Sequence, residues 1–227
     1  MNCLNKLAAA CLLALQGAAP ALAADAIDIG SANLVAVLRE SKGENKQDET
    51  LKPYGSVVMQ LADGREMTLE TGWYHYLGDM HIRLVFDGPQ TLQSATPQDL
   101  QRLRLTTTQA LTLASRNLRR LYGEPQVDPW DGGVMQVSGR ATDLASSYFL
   151  DREFWSALAR EHPQGLVAAV PQRGGLVYAP LDDEAAVDRL RFSAVALYAG
   201  AKGRRVSSAL YLFKDGAWSV YQPPLAY

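Results

Sequence analysis

Cysteine is almost absent from this chain. Its 227 residues include only Cys3 and Cys11, and both fall in the first 23 residues. That segment has the pattern of a cleaved leader, so the mature protein is expected to contain no cysteine. Disulfides, thiol catalysis and cysteine-ligated metals are then excluded, and the packed core alone must stabilise the fold.

Long apolar runs are also lacking. Lys6 is followed by the uncharged stretch Leu7–Leu15 and by a small-residue cleavage site that ends at Ala23, as in a secretory signal peptide. A membrane span needs about 20 apolar residues, more than this stretch supplies. We therefore predict a signal peptide over residues 1–23 and a periplasmic or secreted protein without a transmembrane anchor. A lipoprotein acylated at Cys11 is the alternative, but Cys11 lies inside the apolar stretch.

An excess of charge of one sign is missing too. The chain has 22 basic and 24 acidic residues, and loss of Lys6 with the leader leaves 21 basic ones. This balance argues against a protein dedicated to nucleic acid or anionic membranes. The 204 residues after the leader suffice for one domain. We predict a single α+β domain over residues 24–227, with a possible subdivision near residues 89–96.

Several common catalytic motifs do not occur. The sequence has no G-x-S-x-G nucleophile elbow and no glycine-rich phosphate loop of the G-x-x-x-x-G-K or G-x-G-x-x-G type. A helical H-E-x-x-H zinc motif is also missing. These absences favour a non-enzymatic protein, and the sequence predicts no cofactor and no metal.

The most clearly bounded elements lie in the second half of the chain. Asp151 is placed to cap a helix, and the short apolar runs Leu166–Val170 and Leu176–Ala179 flank a turn at Pro171–Gly175. Asp182 or Asp183 is placed to cap a further helix. The order helix, strand, turn, strand, helix is typical of an α+β core.

Other segments give weaker signals of the same kind. Together they predict a compact mixed domain of short antiparallel hairpins packed with about four to five helices. The expected elements are a helix from Ser31 that carries Leu34, Val35 and Leu38, a hairpin around Asp63–Glu66, a half-buried strand at Met80–Phe86, helices from Thr96 and over Thr107–Leu121, a strand at Val134–Val137, and a last hairpin of Val206–Phe213 with Ala217–Tyr221.

The order of these segments resembles the YtpQ-like family of uncharacterised bacterial proteins. The resemblance covers about Leu34 to Tyr221 and implies a compact α+β fold without an established activity. It rests on the segments LETGWYHYLGD, MHIRLVFDG, TPQDLQRLRLTTTQALTLASRNL and EFWSALAREHPQGLVAAVPQRGGLVYAPLDD.

Two features depart from that family. Its members usually look cytosolic, whereas this chain carries an export signal. The usual Arg-Asp of the turn between the two strands is Arg173-Gly174 here, so any role of that aspartate does not carry over. The family supplies no functional residues that could be transferred.

One local cluster contains residues capable of catalysis. His75, Asp79 and His81 are general-base and metal-ligand types, and a turn at residues 78–79 could bring the histidines together. A structural role is the stronger interpretation, because His81 falls in an alternating strand and His75 lies among aromatic residues. The three remain weak catalytic candidates.

Exposed loops supply the candidate binding residues. Trp130 lies in a loop rich in proline and glycine, where an exposed indole can contact a partner. Arg173 lies in the turn between the two strands. Arg204 and Arg205 follow Lys202 in a basic loop that could meet an anion.

Three functions remain open from the sequence. The first is an exported non-enzymatic protein that binds another envelope or secreted protein as an inhibitor, immunity factor or assembly accessory. The second is an envelope hydrolase that uses His75, Asp79 and His81. The third is a binder of a small anionic ligand through the basic loop.

Overall fold

The structure is a computed structural model that describes residues 29–225. The predicted signal peptide and cleavage site lie outside these residues. Within residues 29–225 the chain forms two antiparallel sheets, a separate two-stranded hairpin and four α-helices, together with three 3-10 segments. The predicted α+β class is therefore confirmed. No helix in this described part is both long and apolar enough to cross a membrane.

The strands are short and connected mostly by tight turns. In chain order they are β1 (Leu34–Glu40), β2 (Lys52–Pro53), β3 (Ser56–Gln60), β4 (Glu66–Glu70), β5 (Trp73–His75), β6 (Met80–Asp87), β7 (Leu92–Ser94), β8 (Gln126–Pro129), β9 (Met135–Ser138), β10 (Leu166–Gln172), β11 (Gly175–Pro180), β12 (Leu210–Lys214) and β13 (Ala217–Gln222). The helices are α1 (Pro97–Arg102), α2 (Thr107–Tyr122), α3 (Arg152–Ala159) and α4 (Glu184–Gly200), and the 3-10 segments are Ser31–Asn33, Thr142–Leu150 and Lys202–Arg204.

The first sheet has β6 at its centre. Its order is β1-β6-β5-β2, and β7 pairs with the end of β6. The helix α2 packs against β1. Strands β3 and β4 pair only with each other and belong to neither sheet.

The second sheet has the order β13-β12-β10-β11-β9-β8, and α4 packs against its central strands β10 and β11. The caps that the sequence predicts are present: Asp151 accepts from the amide of Phe154 at 3.1 Å and Asp183 from the amide of Ala186 at 3.0 Å. These contacts satisfy amides that have no partner inside the helix. The predicted order of elements in this region is confirmed.

An aromatic cluster joins the two sheets. Phe149, in the second 3-10 segment, stacks on Trp218 of β13 at a centroid distance of 4.1 Å. Its ring also lies 5.3 Å from Tyr211 of β12 and 6.4 Å from both Trp155 of α3 and Tyr76 next to β5. All five residues are buried. The cluster therefore connects the first sheet, the second sheet and α3 through one set of ring contacts.

The predicted helix from Ser31 is wrong. The structure has a single 3-10 turn there, followed by strand β1, in which Leu34–Leu38 is buried on both faces. An apolar run without alternation fits a buried strand and a helical face equally well, so the pattern misled the prediction. The same cause makes β6 more buried than predicted: only Arg83 and Asp87 in it are partly exposed.

Truncation of Phe149 should destabilise the whole molecule. We expect Phe149→Ala to lower the free energy of unfolding by about 3–5 kcal/mol, because the change removes a fully buried ring and leaves a cavity. Phe192→Ala is the matched control, since Phe192 is 77% exposed on α4 and should change stability by no more than about 0.5 kcal/mol. Urea denaturation of the chain from residue 24 measures both. Similar small losses for the two variants would contradict the role given to the cluster.

Candidate functional site

Strands β1, β6 and β5 present a row of polar and aromatic side chains on one face of the first sheet. The register places Arg39 opposite His81, His81 opposite His75, and Arg83 opposite Trp73. Residues directly opposite each other in an antiparallel pair share a face. This arginine face, defined by Arg39, Trp73, His75, His81 and Arg83, is partly exposed except for the buried His81.

His81 is held as a neutral ring. Its Nε2 accepts a hydrogen bond from Nε of Arg83 at 2.9 Å, and its Nδ1 lies 2.9 Å from Oγ of Ser41. Because a guanidinium can only donate, Nε2 carries no proton and Nδ1–H donates to Ser41. Burial lowers the pKa of His81 to about 3, with further contributions from the positive charges of Arg83 and Arg39.

Tyr54 lies against both histidines. Its ring centroid is 4.3 Å from that of His75 and 4.5 Å from that of His81. The prediction that the two histidines come close is therefore correct, but they meet around a tyrosine ring. The arrangement resembles an aromatic packing cluster more than a proton relay.

Asp79 has a different set of partners. Its Oδ1 accepts from the hydroxyl of Ser207 and lies 3.4 Å from the hydroxyl of Tyr211. Its Oδ2 is buried without a partner among the described residues. Burial raises the pKa of Asp79 to about 6, and the hydrogen bond from Ser207 opposes this rise.

The weak catalytic candidates thus do not form a triad. In the described part of the chain no hydrogen bond links Asp79 to His75 or His81, and the basic nitrogen of His81 is already occupied by Arg83. A general base must have a free lone pair within reach of the proton it removes. Among residues 29–225, no three metal-ligating side chains of the His, Cys, Asp or Glu type lie close enough to hold an ion.

Arg173, in a turn of the second sheet, acts electrostatically on the arginine face. The amide of Ser146 donates to the carbonyl of Arg173 at 3.1 Å, and the amide of Arg173 donates to the carbonyl of Arg204 at 3.1 Å. The turn between β10 and β11 is therefore anchored on both sides. Burial is the main cause that lowers the pKa of Arg83 and that brings the pKa of Arg39 down to about 10, and the positive charge of Arg173 lowers both further. We call Arg39, Arg83 and Arg173 the arginine cluster.

The other predicted binding residues have separate roles. Arg204 forms an ion pair with Asp143. Arg205 donates to the carbonyls of Tyr198 and Ala199 at 3.0 and 3.1 Å, and so satisfies the end of α4. The arginines of the basic loop are therefore largely engaged within the protein. Of the four predicted binding residues, only Arg173 belongs to the arginine cluster.

Trp130 lies in the tight turn between β8 and β9. Its amide donates to the carbonyl of Val134 at 2.9 Å, and the residue is 41% exposed. No ring or hydrogen-bond contact of the described residues connects its side chain with the arginine cluster. It stays a separate surface candidate.

Sequence reasoning missed Arg39, Arg83 and Trp73. A usable signal exists for the two arginines, since each interrupts an otherwise apolar strand, in LVAVLRE and MHIRLVF. A charge inside such a strand must reach solvent or a partner. Arg173 could not be linked to them from sequence, because it lies in a turn of the other sheet.

A cavity of about 550 Å³ lies between α2, the start of α3 and the loop around Glu49. Its apolar wall includes Tyr76, Leu111 and Leu150. The charges around it are mostly paired with one another, as Glu49 with Arg152 and Arg119 with Asp151. It therefore offers shape and apolar surface but few free charges for a ligand.

Comparison with protein-family models, with curated proteins and with solved structures finds no match for this chain. The arrangement of the site itself must therefore carry any functional argument.

The ring of His81 should remain neutral across the physiological range. We expect its carbon-bound proton signals in NMR spectra to show no titration between about pH 5 and pH 8, because its pKa lies far below the ordinary value of 6.5. Nitrogen shifts should identify Nδ1 as the protonated atom. A titration midpoint near 6.5, or a proton on Nε2, would contradict the described hydrogen bonds.

Asp79 should make the fold less stable as pH rises. Its pKa is raised when folded, so the stabilisation that it confers is complete below about pH 4 and disappears as pH rises through about 6. Asp79→Asn removes this effect while keeping an oxygen acceptor for Ser207. Between about pH 4 and pH 7, wild type should lose up to about 3 kcal/mol relative to the variant. Urea denaturation at the two pH values measures this, and a constant difference would be evidence against the raised pKa.

Proposed function

We propose that this chain is an exported, non-enzymatic protein that binds another protein through the hairpin of β3 and β4. The proposed role is that of an inhibitor, immunity factor or assembly accessory in the cell envelope or outside it. The observation that carries it is the isolation of this hairpin from both sheets. The resemblance to the YtpQ-like family is compatible with the proposal but supplies no activity.

The hairpin extends from the edge of the first sheet. The amide of Tyr54 donates to the carbonyl of Trp73 at 2.8 Å, and Oγ1 of Thr71 donates to the carbonyl of Tyr54 at 3.2 Å. Gly55 has a φ of 76°, a conformation that glycine adopts without strain, and it marks the bend before β3. Beyond this root the two strands pair only with each other.

The hairpin carries apolar side chains where no other element covers them. Val58 is 57% exposed and Met67 is 38% exposed. A two-stranded hairpin is at best marginally stable on its own in water. Exposed apolar residues that the fold does not need are a common feature of protein interaction sites.

A protein is the partner that best fits this surface. Each strand of the hairpin has one edge without a neighbouring strand, and an extended segment of a partner can add to such an edge through backbone hydrogen bonds. The apolar side chains then provide burial on the faces. The hydrolase alternative has less support, because Nε2 of the candidate base His81 already accepts from Arg83 and its lowered pKa makes the ring a weak base.

Substitution on the hairpin should abolish partner binding. We expect Val58→Asp to reduce the recovered partner at least tenfold, because a charge would be buried without a counter-charge. The experiment captures tagged mature protein after cross-linking in its native envelope and quantifies the protein that is recovered in stoichiometric amount. Phe192→Asp is the control, since Phe192 is a more exposed apolar residue on α4.

The control should retain the same partner at the level of wild type. Equal recovery with Val58→Asp, or repeated isolation of wild type as a clean monomer, would contradict the proposal. Recovery of a second copy of the chain in place of another protein would replace it with self-association.

A further inference from the structure

We propose that the arginine cluster is a binding site for a phosphoryl or related tetrahedral oxyanion. The site lies on the face of the first sheet beside the hairpin root, where Arg39 and Arg83 lie on neighbouring strands and the positive charge of Arg173 acts on both. The inference goes beyond the proposed function and does not depend on it, because it can be tested with inorganic ions alone.

The arginine cluster lacks a carboxylate partner within the protein. Among residues 29–225, none of its three members forms an ion pair, whereas Arg119, Arg152 and Arg204 each do. The negative charge of Asp143 acts on Arg39, but its carboxylate is bound to Arg204. Three neighbouring positive charges that repel one another are therefore left for an external anion.

The donors of the cluster are also incompletely used. Nε of Arg173 is buried and has no acceptor in the described structure, and its Nη2 reaches only the carbonyl of Gly203 at 3.5 Å. The indole Nε1 of Trp73, on the same face, is likewise buried without an acceptor. Arg39 uses Nη1 on the neighbouring carbonyl of Leu38 at 2.7 Å. Buried donors are normally satisfied, so two such donors beside unpaired cations indicate a missing acceptor.

The guanidinium of Arg83 is held in place before any ligand arrives. It lies 3.7 Å from the centroid of the Trp73 ring, and its Nε donates to His81. The backbone of Arg173 is anchored through its amide and its carbonyl. A guanidinium held as that of Arg83 is loses little freedom on binding, which favours affinity.

The charge and number of donors select the class of ligand. A phosphoryl group carries between one and two negative charges near neutral pH and presents three strong acceptor oxygens. A carboxylate offers one charge and two oxygens. Guanidinium groups donate charge-assisted hydrogen bonds to phosphoryl oxygens, and such bonds are the strong ones. We therefore expect phosphate and sulfate to bind more tightly than acetate.

Titration calorimetry with inorganic phosphate at constant ionic strength tests the site. We expect wild type to bind phosphate in preference to acetate, and Arg173→Gln to weaken binding at least tenfold. Arg116→Gln is the matched control, because it removes one positive charge from an exposed position on α2 and should leave binding within about twofold of wild type. Val58→Asp should also bind phosphate like wild type. A failure of the anion-site proposal can therefore be told apart from a failure of the proposal that the hairpin binds a protein.

Arg173→Lys is a second variant that tests the site even where Arg173→Gln does not fold. It keeps the charge but loses the planar fork, so it should fold like wild type, as checked by circular dichroism, and bind phosphate several-fold more weakly. Phenyl phosphate distinguishes the source of the group: tighter binding than phosphate indicates a phosphoryl group on a larger molecule, and equal binding indicates the free ion. Absence of phosphate binding to wild type, or equal losses in Arg173→Gln and Arg116→Gln, would overturn the proposal.

Discussion

The stacking of Phe149 on Trp218 is the contact on which the rest of the molecule depends. The ring of Phe149 is fully buried and also contacts Tyr76, so the same side chain packs against residues of both sheets. Phe149 belongs to the 3-10 segment that includes Ser146, which holds the backbone of Arg173. The aromatic cluster and the turn of the second sheet that carries Arg173 are thus linked through the same 3-10 segment.

Burial shifts the pKa values of two neighbouring groups in opposite directions. It raises the pKa of Asp79 and lowers that of His81, so it disfavours the charged form of both groups. Burial does not remove the charge of an arginine in this way, because even a pKa of about 10 leaves Arg39 charged at neutral pH. At neutral pH His81 is therefore neutral, Asp79 ionises only at a cost in stability, and the arginine cluster retains its unpaired positive charges. For this reason we interpret His75, Asp79 and His81 as packing residues and the arginine cluster as a candidate binding site.

Local signals in the sequence predicted local structure well. Asp151 and Asp183 cap their helices, and the turn between β10 and β11 lies where proline and glycine mark it. The error at Leu34–Leu38 arose because a strand buried on both faces has no alternation to reveal it. The candidate site was harder to predict, since Arg39, Arg83 and Arg173 are separated by long stretches of chain and meet only through tertiary packing. The position of Arg173 in a turn made it a candidate binding residue in the sequence, but the sequence carried no information on its neighbours.

The central claim is that packing of the two sheets creates a specific anion site on the arginine face. An NMR titration of nitrogen-labelled mature protein with phosphate tests it most directly. The account predicts that the signals of the Trp73 indole Nε1–H and the Arg173 Nε–H shift and saturate together, while the Trp155 indole, which donates to the carbonyl of Tyr148 at 2.9 Å, does not move. Unchanged signals for Trp73 and Arg173, with shifts spread over exposed arginines such as Arg116, would contradict it.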